Sequence, residues 1–513
     1  MGARRDQRGG ESSRLITQGS RLVEFPILTI IWLTPIVGAV IVLLMPKERH
    51  TEIRMASLAT AFIAMALSLA VYFSYDTGVG GWQFEETAQW LPRLGIGYHV
   101  AADGMSVPML ALTGIVIFTG VMVSWGITDR PREFFAFLLL LTGGVFGVFM
   151  SLDLFLLFFF YELAIFPMYV LIATWGSTRK EYASMKLTLY LLAGSIIALV
   201  GILALYVETG MGSFDLLDLA EAGVSTDFQR LWFLPVFLGF GVLAGIWPFH
   251  NWSPDGHVAA PTAVSMLHAG VLMKLGAYAA LRVGVQLMPE GAKYWLPLII
   301  FLVTVNVVYG SLIAMVQTDF KYVIGFSSVS HMGLVTMGFA TMNTTGMGGA
   351  ALQMFSHGIM TALFFAVVGM IYDRTHTRDI PSLGGIAKLM PLPAIAFIIG
   401  GLVSMGMPGL SGFVAEFQIF MGLWSAGDVA WYYPWIAIIS ASGIVITAAY
   451  VLRIVQNVFF GELKPEFADL PGINSLDKAA LIILSGLLIL IGVYPKVLMT
   501  IIEVGVTPIA ALF

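Results

Sequence analysis

The chain has 513 residues, of which 58% are hydrophobic and only 11% charged, with a mean hydropathy of +0.88. A soluble domain carries about 25% charged residues, so the composition excludes a soluble globular protein and requires a polytopic membrane protein. The net charge of −5 comes with no basic stripe for nucleic acid, and the absence of cysteine excludes an iron–sulfur cluster, a thiolate metal site or a disulfide on this chain.

In chain order, a polar, arginine-rich tail occupies 1–23 and carries Arg4, Arg5, Arg8, Arg14 and Arg21. It has no small-residue cleavage site after an apolar stretch, so it does not read as a signal peptide. Apolar spans follow at 24–45, 55–74, 104–127, 134–151, 152–174, 186–207, 231–250, 262–283 and 293–315. Five more lie at 320–341, 347–371, 392–424, 431–460 and 478–501. Each is long enough for a hydrocarbon core of about 30 Å. The pattern predicts an all-α membrane protein of about fourteen transmembrane helices. Only Ser151, Leu152 and Asp153 separate the fourth span from the fifth.

Loop charge gives the orientation. Lys47, Arg49 and Arg54 follow the first span, Arg130 and Arg132 the third, Arg179 and Lys180 the fifth, and Arg374, Arg378 and Lys388 the eleventh. Lys464 and Lys478 precede the last. The segment 208–230 is acidic instead, with Glu208, Asp215, Asp218, Glu221 and Asp227. The alternation predicts basic loops in the cytoplasm and both termini outside. The arginines of the tail run against this, so either the tail is translocated or translation starts downstream of it.

Two spans are interrupted. The seventh breaks at WPFHNWSP, where Pro248 and Pro254 cannot share one continuous helix. The twelfth breaks at Met405-Gly406-Met407-Pro408-Gly409-Leu410-Ser411-Gly412, with Glu416 just beyond. Paired Gly/Pro interruptions in corresponding positions point to an inverted-repeat core, with spans four to eight and nine to thirteen as its halves. Irregular backbone at that depth is tolerated only where protein or a water-filled cavity satisfies it.

Ionisable residues inside the spans carry the chemistry. Glu162 lies in LFLLFFFYELAIFPMY, five residues before Pro167, and Lys274 lies among Leu, Met, Val and Ala in the eighth span. A charge at a helix centre costs roughly 2.5–3.5 kcal/mol on insertion scales, so it reads as functional; the plain alternative is a lysine that snorkels to the interface. Lys186 opens the sixth span and is the nearby candidate to oppose Glu162, His331 and His357 sit in apolar helices, and Glu416 resembles Glu162 in kind. Dispersed one per helix, these groups lack the clustering of a metal site and suit a proton relay.

The strings WGSTRKEYASMKLTLY, PFHNWSPDGHVAAPT, HAGVLMKLGAY, QTDFKYVIGFSSVSHMG, DRTHTRDIPSLGG and MPGLSGFVAEF resemble the antiporter-like membrane subunit M of respiratory complex I, over about 98–495. The resemblance implies fourteen helices, two inverted five-helix repeats, and one proton translocated through this subunit. It also implies which positions matter: the helix-five glutamate falls on Glu162, the helix-eight lysine on Lys274, the helix-twelve acid on Glu416, and the histidines of the central axis on His331 and His357. The family's helix-seven lysine, seven residues before the histidine of PxHxW, is replaced by Leu243, and its LPDAH pattern reads SPDGH here.

The expected organisation is a tail (1–23), three leading helices (24–132), a first repeat (133–285), a second repeat (286–460) and a C-terminal helix (461–513). The resemblance implies a subunit of an NADH:quinone oxidoreductase in the bacterial inner membrane, beside other antiporter-like subunits and lipid. Quinone, flavin and iron–sulfur clusters are then expected on partner subunits, with no cofactor, metal or nucleic acid on this chain. A subunit of an Mrp-type cation/proton antiporter or a membrane-bound hydrogenase, or a scaffold that lost pumping with Leu243, would share the fold. DRTHTRDI favours the oxidoreductase.

Overall fold

Length and hydropathy let thirteen helices of the computed structural model, among the described residues 25–513, cross a bilayer. The tail with its five arginines lies outside the described residues. The leading helices are α1 (Ile27–Leu44), α2 (His50–Ser74) and α3 (Ser106–Val123). A two-stranded hairpin, β1 (Gln83–Leu91) and β2 (Ile96–Ala102), stands between α2 and α3. Next come α4 (Pro131–Met150), α5 (Leu154–Trp175), α6 (Lys180–Thr209) and the short α7 (Leu216–Ala222). The seventh crossing is α8 (Thr226–Ala244) plus α9 (Trp252–Ala259), and the eighth is α10 (Thr262–Gln286). Then follow α11 (Pro289–Val316), α12 (Phe320–Ala340) and α13 (Thr344–Thr375). The twelfth crossing is split into α14 (Pro391–Ser404) and α15 (Ser411–Ser425), and α16 (Tyr433–Phe459) and α17 (Ser475–Val493) complete the crossings.

The crossings are helical as expected, and one short hairpin is added, because 83–102 is too polar to enter lipid and pairs its own backbone instead. One sequence expectation changes. The last apolar run, read as one span over 478–501, is two helices: α17 ends at Val493 and α18 (Lys496–Ala510) begins after Pro495. Proline has no amide hydrogen and pushes its preceding residue, here Tyr494, out of the helical region. Helix α18 buries Leu498, Met499, Ile502 and Val506 along one face.

The two breaks fall where the sequence placed them, and the interior supplies the missing partners. Asn306 of α11 accepts from Trp247 N at 2.6 Å and donates to Gly245 O at 2.8 Å. Trp252 Nε1 donates to Val242 O at 3.0 Å. Lys321 Nζ and Arg378 Nη1 donate to Ala260 O (2.7 Å) and Val258 O (2.8 Å) at the end of α9. These bonds meet backbone groups that the break frees, as the bilayer requires.

The link Ser151-Leu152-Asp153 has a counterpart. Asp153 caps α5 by accepting from Phe155 N and Leu156 N, and its strand bridges Asp215. Asp319 caps α12 by accepting from Lys321 N and Tyr322 N, and its strand bridges Asp379. These matched pairs lie at opposite ends of the bundle. At one end the basic loops meet, with Arg54 donating to Ile127 O at 2.9 Å and Lys464 to Pro381 O at 3.2 Å. At the other end lie the hairpin and the acidic segment, with Leu152 N on His99 O and Leu154 N on Phe214 O, both at 2.9 Å.

Candidate functional site

Helices α10 and α13 are buried along their apolar windows, and α12 nearly so. A lysine on α10 therefore faces protein, not lipid. Lys274 is 0% exposed and cannot snorkel. Two π-helical segments, His268–Leu272 and Ala280–Gln286, flank its turn of α10. Such segments upset the regular ladder and often mark functional sites. Lys274 Nζ folds back to donate to Ala269 O in the first of them.

From Lys274 a row of polar side chains runs through the interior. Its Nζ lies 2.7 Å from His357 Nδ1 on α13. The rings of His357 and His331 have centroids 5.3 Å apart. His331, on α12, lies 3.4 Å from Glu416 Oε1 on α15 through Nδ1. The same Nδ1 is 3.1 Å from the Gln353 amide, and Nε2 is 3.0 Å from Ser404 Oγ at the end of α14. An imidazole nitrogen accepts from an amide N–H when bare and donates to a carboxylate when protonated. His331 Nδ1 thus has a partner for either state, which is what a transfer station needs.

Glu416 sits against the second break. Gly406 has φ +61°, and a Cβ there would lie 2.6 Å from Glu416 Oε2, an oxygen with no hydrogen-bond partner among the described residues. The break therefore brings backbone, rather than a packed side chain, to the carboxylate. Ser356 Oγ and Ser411 Oγ meet at 2.7 Å across the same region.

Four of the six residues singled out from sequence, Lys274, His357, His331 and Glu416, form this row. The other two stand apart from it and from each other. Glu162 is half-buried, and its Oε1 has no hydrogen-bond partner among the described residues. Lys186 does not serve it: Lys186 Nζ pairs with Asp255 Oδ2 at 2.7 Å, while Asp255 Oδ1 accepts from Tyr322 OH at 2.8 Å. Leu243, where the family pattern has a lysine, is fully buried.

Sequence reasoning missed several buried groups. His257 and His268 line the inside of the first break beside the half-buried Asp255, and Lys321 of α12 reaches the end of α9. SPDGH and QTDFK look like loop sequence, so their charges carry no signal of burial. Arg282 pairs with Asp103 at 2.5 Å, under Trp82 just before the hairpin, whose ring centroid is 4.6 Å away.

The model of the family described as NADH:quinone oxidoreductase/Mrp antiporter, TM, matches residues 151–447. NAD(P)H-quinone oxidoreductase chain 4 3 of Trichormus variabilis is 36% identical over 496 residues, spanning 96% of this chain and 92% of that protein. NAD(P)H-quinone oxidoreductase chain 4 of Gloeobacter violaceus is 36% identical over 477 residues, 92% of this chain and 90% of that one. A chain in the structure of respiratory complex I from Thermus thermophilus with bound NADH superposes with a TM-score of 0.85 at 27% identity, covering 94% of this chain and 99% of that one. A chain of the Mrp complex from Dietzia sp. gives 0.84 at 22% identity, over 96% and 99%, a likeness of fold alone.

Proposed function

The chain belongs to the NADH:quinone oxidoreductase/Mrp antiporter family, and from that premise we propose that it is the proton-translocating membrane subunit of a complex I-type quinone oxidoreductase. The observation that carries the reading is the buried row Lys274–His357–His331–Glu416, with contacts of 2.7 and 3.4 Å at its two ends. Electron transfer to quinone proceeds on partner subunits, which hold the flavin and iron–sulfur clusters, since this chain has no cysteine. Its neighbours are other antiporter-like membrane subunits.

The division into a first repeat over 133–285 and a second over 286–460 belongs to the same reading. The matched caps and bridges of Asp153 and Asp319 at opposite ends support it.

Within the row, Lys274 as ammonium donates to His357 Nδ1, so a proton handed over leaves a neutral amine. His357 passes a proton toward His331 across the 5.3 Å between ring centroids. His331 then exchanges Gln353 for Glu416 as the partner of Nδ1. Each residue needs only to gain and lose one N–H or O–H bond. Burial makes every such change cost much in the absence of its neighbour's compensating charge, which couples the steps.

The test is the proton-to-electron ratio of the purified complex in vesicles. Lys274→Ala and Glu416→Ala should assemble and lower that ratio, while Glu416→Asp retains more of it. Parental ratios in both alanine variants would remove the row from the path.

A further inference from the structure

We propose that the cleft between the α1–α2 and α3–α4 loops binds the phosphate of an anionic phospholipid. The cleft lies at the basic-loop end of the bundle and shares no residue with the Lys274–Glu416 row.

Side chains fasten the two loops together. Arg54 Nη2 donates to Ile127 O at 2.9 Å, and Arg132 Nη1 donates to Met45 O at 3.4 Å. The cleft between the loops has a volume of about 540 Å³, and its ionisable lining residues are Lys47, Glu48, His50, Arg130, Arg132 and Glu133. Arg132 Nη2 already holds Glu133 at 2.8 Å. Glu48 is then the one lining acid left to face Lys47, Arg130 and any charge on His50.

Arg130 is set in place before any ligand arrives. Its backbone is left-handed, with φ +45°, which is uncommon for a residue that has a side chain. Its guanidinium lies over the Trp175 ring at 5.1 Å, and Trp175 Nε1 in turn donates to Asp129 O at 2.7 Å. A guanidinium offers a planar fork of donors that matches phosphate oxygens. Backbone adds to the field. Helices α2 and α4 both start here, behind Arg49 and Arg130, and neither has a side-chain cap. The positive end of each helix dipole therefore meets cations, which only an anion relieves.

The surroundings favour a lipid as the source of that phosphate over a soluble ion. Val37, Val40, Ile41 and Leu44 are exposed at helical spacing along α1, which ends just before Lys47. Met55, in the second turn of α2, is exposed as well. This apolar track leads up to the cationic cleft, as an acyl chain leads up to its headgroup. Trp175 beside it is the residue type that membrane proteins place at headgroup depth. Basic pockets between helices at this level are a general means of holding anionic headgroups.

The test uses the intact complex in nanodiscs, labelled with an amine-acylating reagent and read peptide by peptide. Three conditions are compared: phosphatidylcholine alone, phosphatidylcholine with phosphatidylglycerol, and phosphatidylcholine with inorganic phosphate. Lys478, exposed near the start of α17, reports the general effect of an anionic surface. The expected result is that phosphatidylglycerol protects Lys47 and leaves Lys478 reactive, while inorganic phosphate protects neither. Arg130→Gln should raise the phosphatidylglycerol fraction needed for half protection about fivefold, the worth of one cation at an anionic surface. Equal protection by inorganic phosphate would mark a soluble-anion site, and equal protection of Lys478 would mark surface charge alone. Either outcome overturns the proposal, as does a Lys47 that stays fully reactive. Should Arg130→Gln fail to assemble, Lys47→Gln decides by mass spectrometry of the purified complex: less phosphatidylglycerol retained than in the parent supports the site, and an unchanged amount overturns it.

Discussion

Lys186 and Asp255 are held 2.7 Å apart, joining α6 to the inside of the broken seventh crossing. By chain position Lys186 opens the span after Glu162 and was the expected counter-charge for it. The structure spends that cation on Asp255 instead, and Glu162 is left without an ion pair among the described residues.

Asp255→Asn should therefore hurt more than Glu162→Gln. Loss of the aspartate strips a partner from both Lys186 and Tyr322, whereas Gln reproduces the shape of a carboxyl whose Oε1 has no partner among the described residues. The check is the proton-to-electron ratio of each variant beside the parent. A larger drop for Glu162→Gln than for Asp255→Asn would reverse the assignment.

Gly406→Ala should impair pumping while leaving assembly intact. The left-handed backbone at φ +61° disfavours a side chain by roughly 1–2 kcal/mol. The added methyl would also press to 2.6 Å from Glu416 Oε2 and displace the carboxylate from His331. A loss of proton transfer with normal quinone reduction in uncoupled membranes is the expected outcome, measured by the two assays side by side.

Asp103→Asn should destabilise the subunit. Arg282 and Asp103 are 3% and 7% exposed at their side chains, and removing one member strands the other. Breaking a buried pair in this way costs about 3–5 kcal/mol. Reduced subunit content in purified complex, recovered by Asp103→Leu combined with Arg282→Met, would be the sign of it.

The hairpin should hold best between mildly acid and near-neutral pH. Burial disfavours charge on His99, but its hydrogen bond to Asp215 and the charges of Asp215 and Glu85 more than reverse that and raise its pKa above 6.5. Burial likewise works against the Asp215 carboxylate, and the bond from His99 outweighs it and lowers that pKa below 3.8. The His99 contribution is complete below 6.5 and is lost as pH rises through the raised value. The Asp215 contribution is present above 3.8 and is lost as pH falls through the lowered one. Proteolysis of 83–102 should accelerate on the alkaline side, and His99→Gln should erase that pH dependence.

Much of this site is legible in sequence because a charged residue flanked by apolar ones has few explanations. Lys274, His331, His357 and Glu416 announce themselves in that way, and the prolines of WPFHNWSP and the glycines of MGMPGLSG announce the breaks. The remainder is hidden by the same reasoning. Arg282 lies near the end of its span and reads as interfacial, yet Trp82, just before the hairpin, covers it. His257 and Lys321 sit in strings with the composition of loops, and only the inward fold of α9 buries them, with Asp255 half-buried beside them. The pairing of Lys186 depends on which residues the break swings toward α6, and spacing along the chain holds no record of that.

The reach of Asn306, Lys321 and Arg378 back to the first break has a consequence for biogenesis. Gly245 O, Trp247 N, Val258 O and Ala260 O all find partners on residues translated well after them. A nascent chain halted near residue 285 would leave Gly245 O and Trp247 N without Asn306, while Val258 O and Ala260 O would keep only Ser177 Oγ and Ser265 Oγ at 3.2 Å; a bare polar group in hydrocarbon costs several kcal/mol. The stretch up to α10 is accordingly no self-sufficient insertion unit: its first break is completed only when α11 brings Asn306.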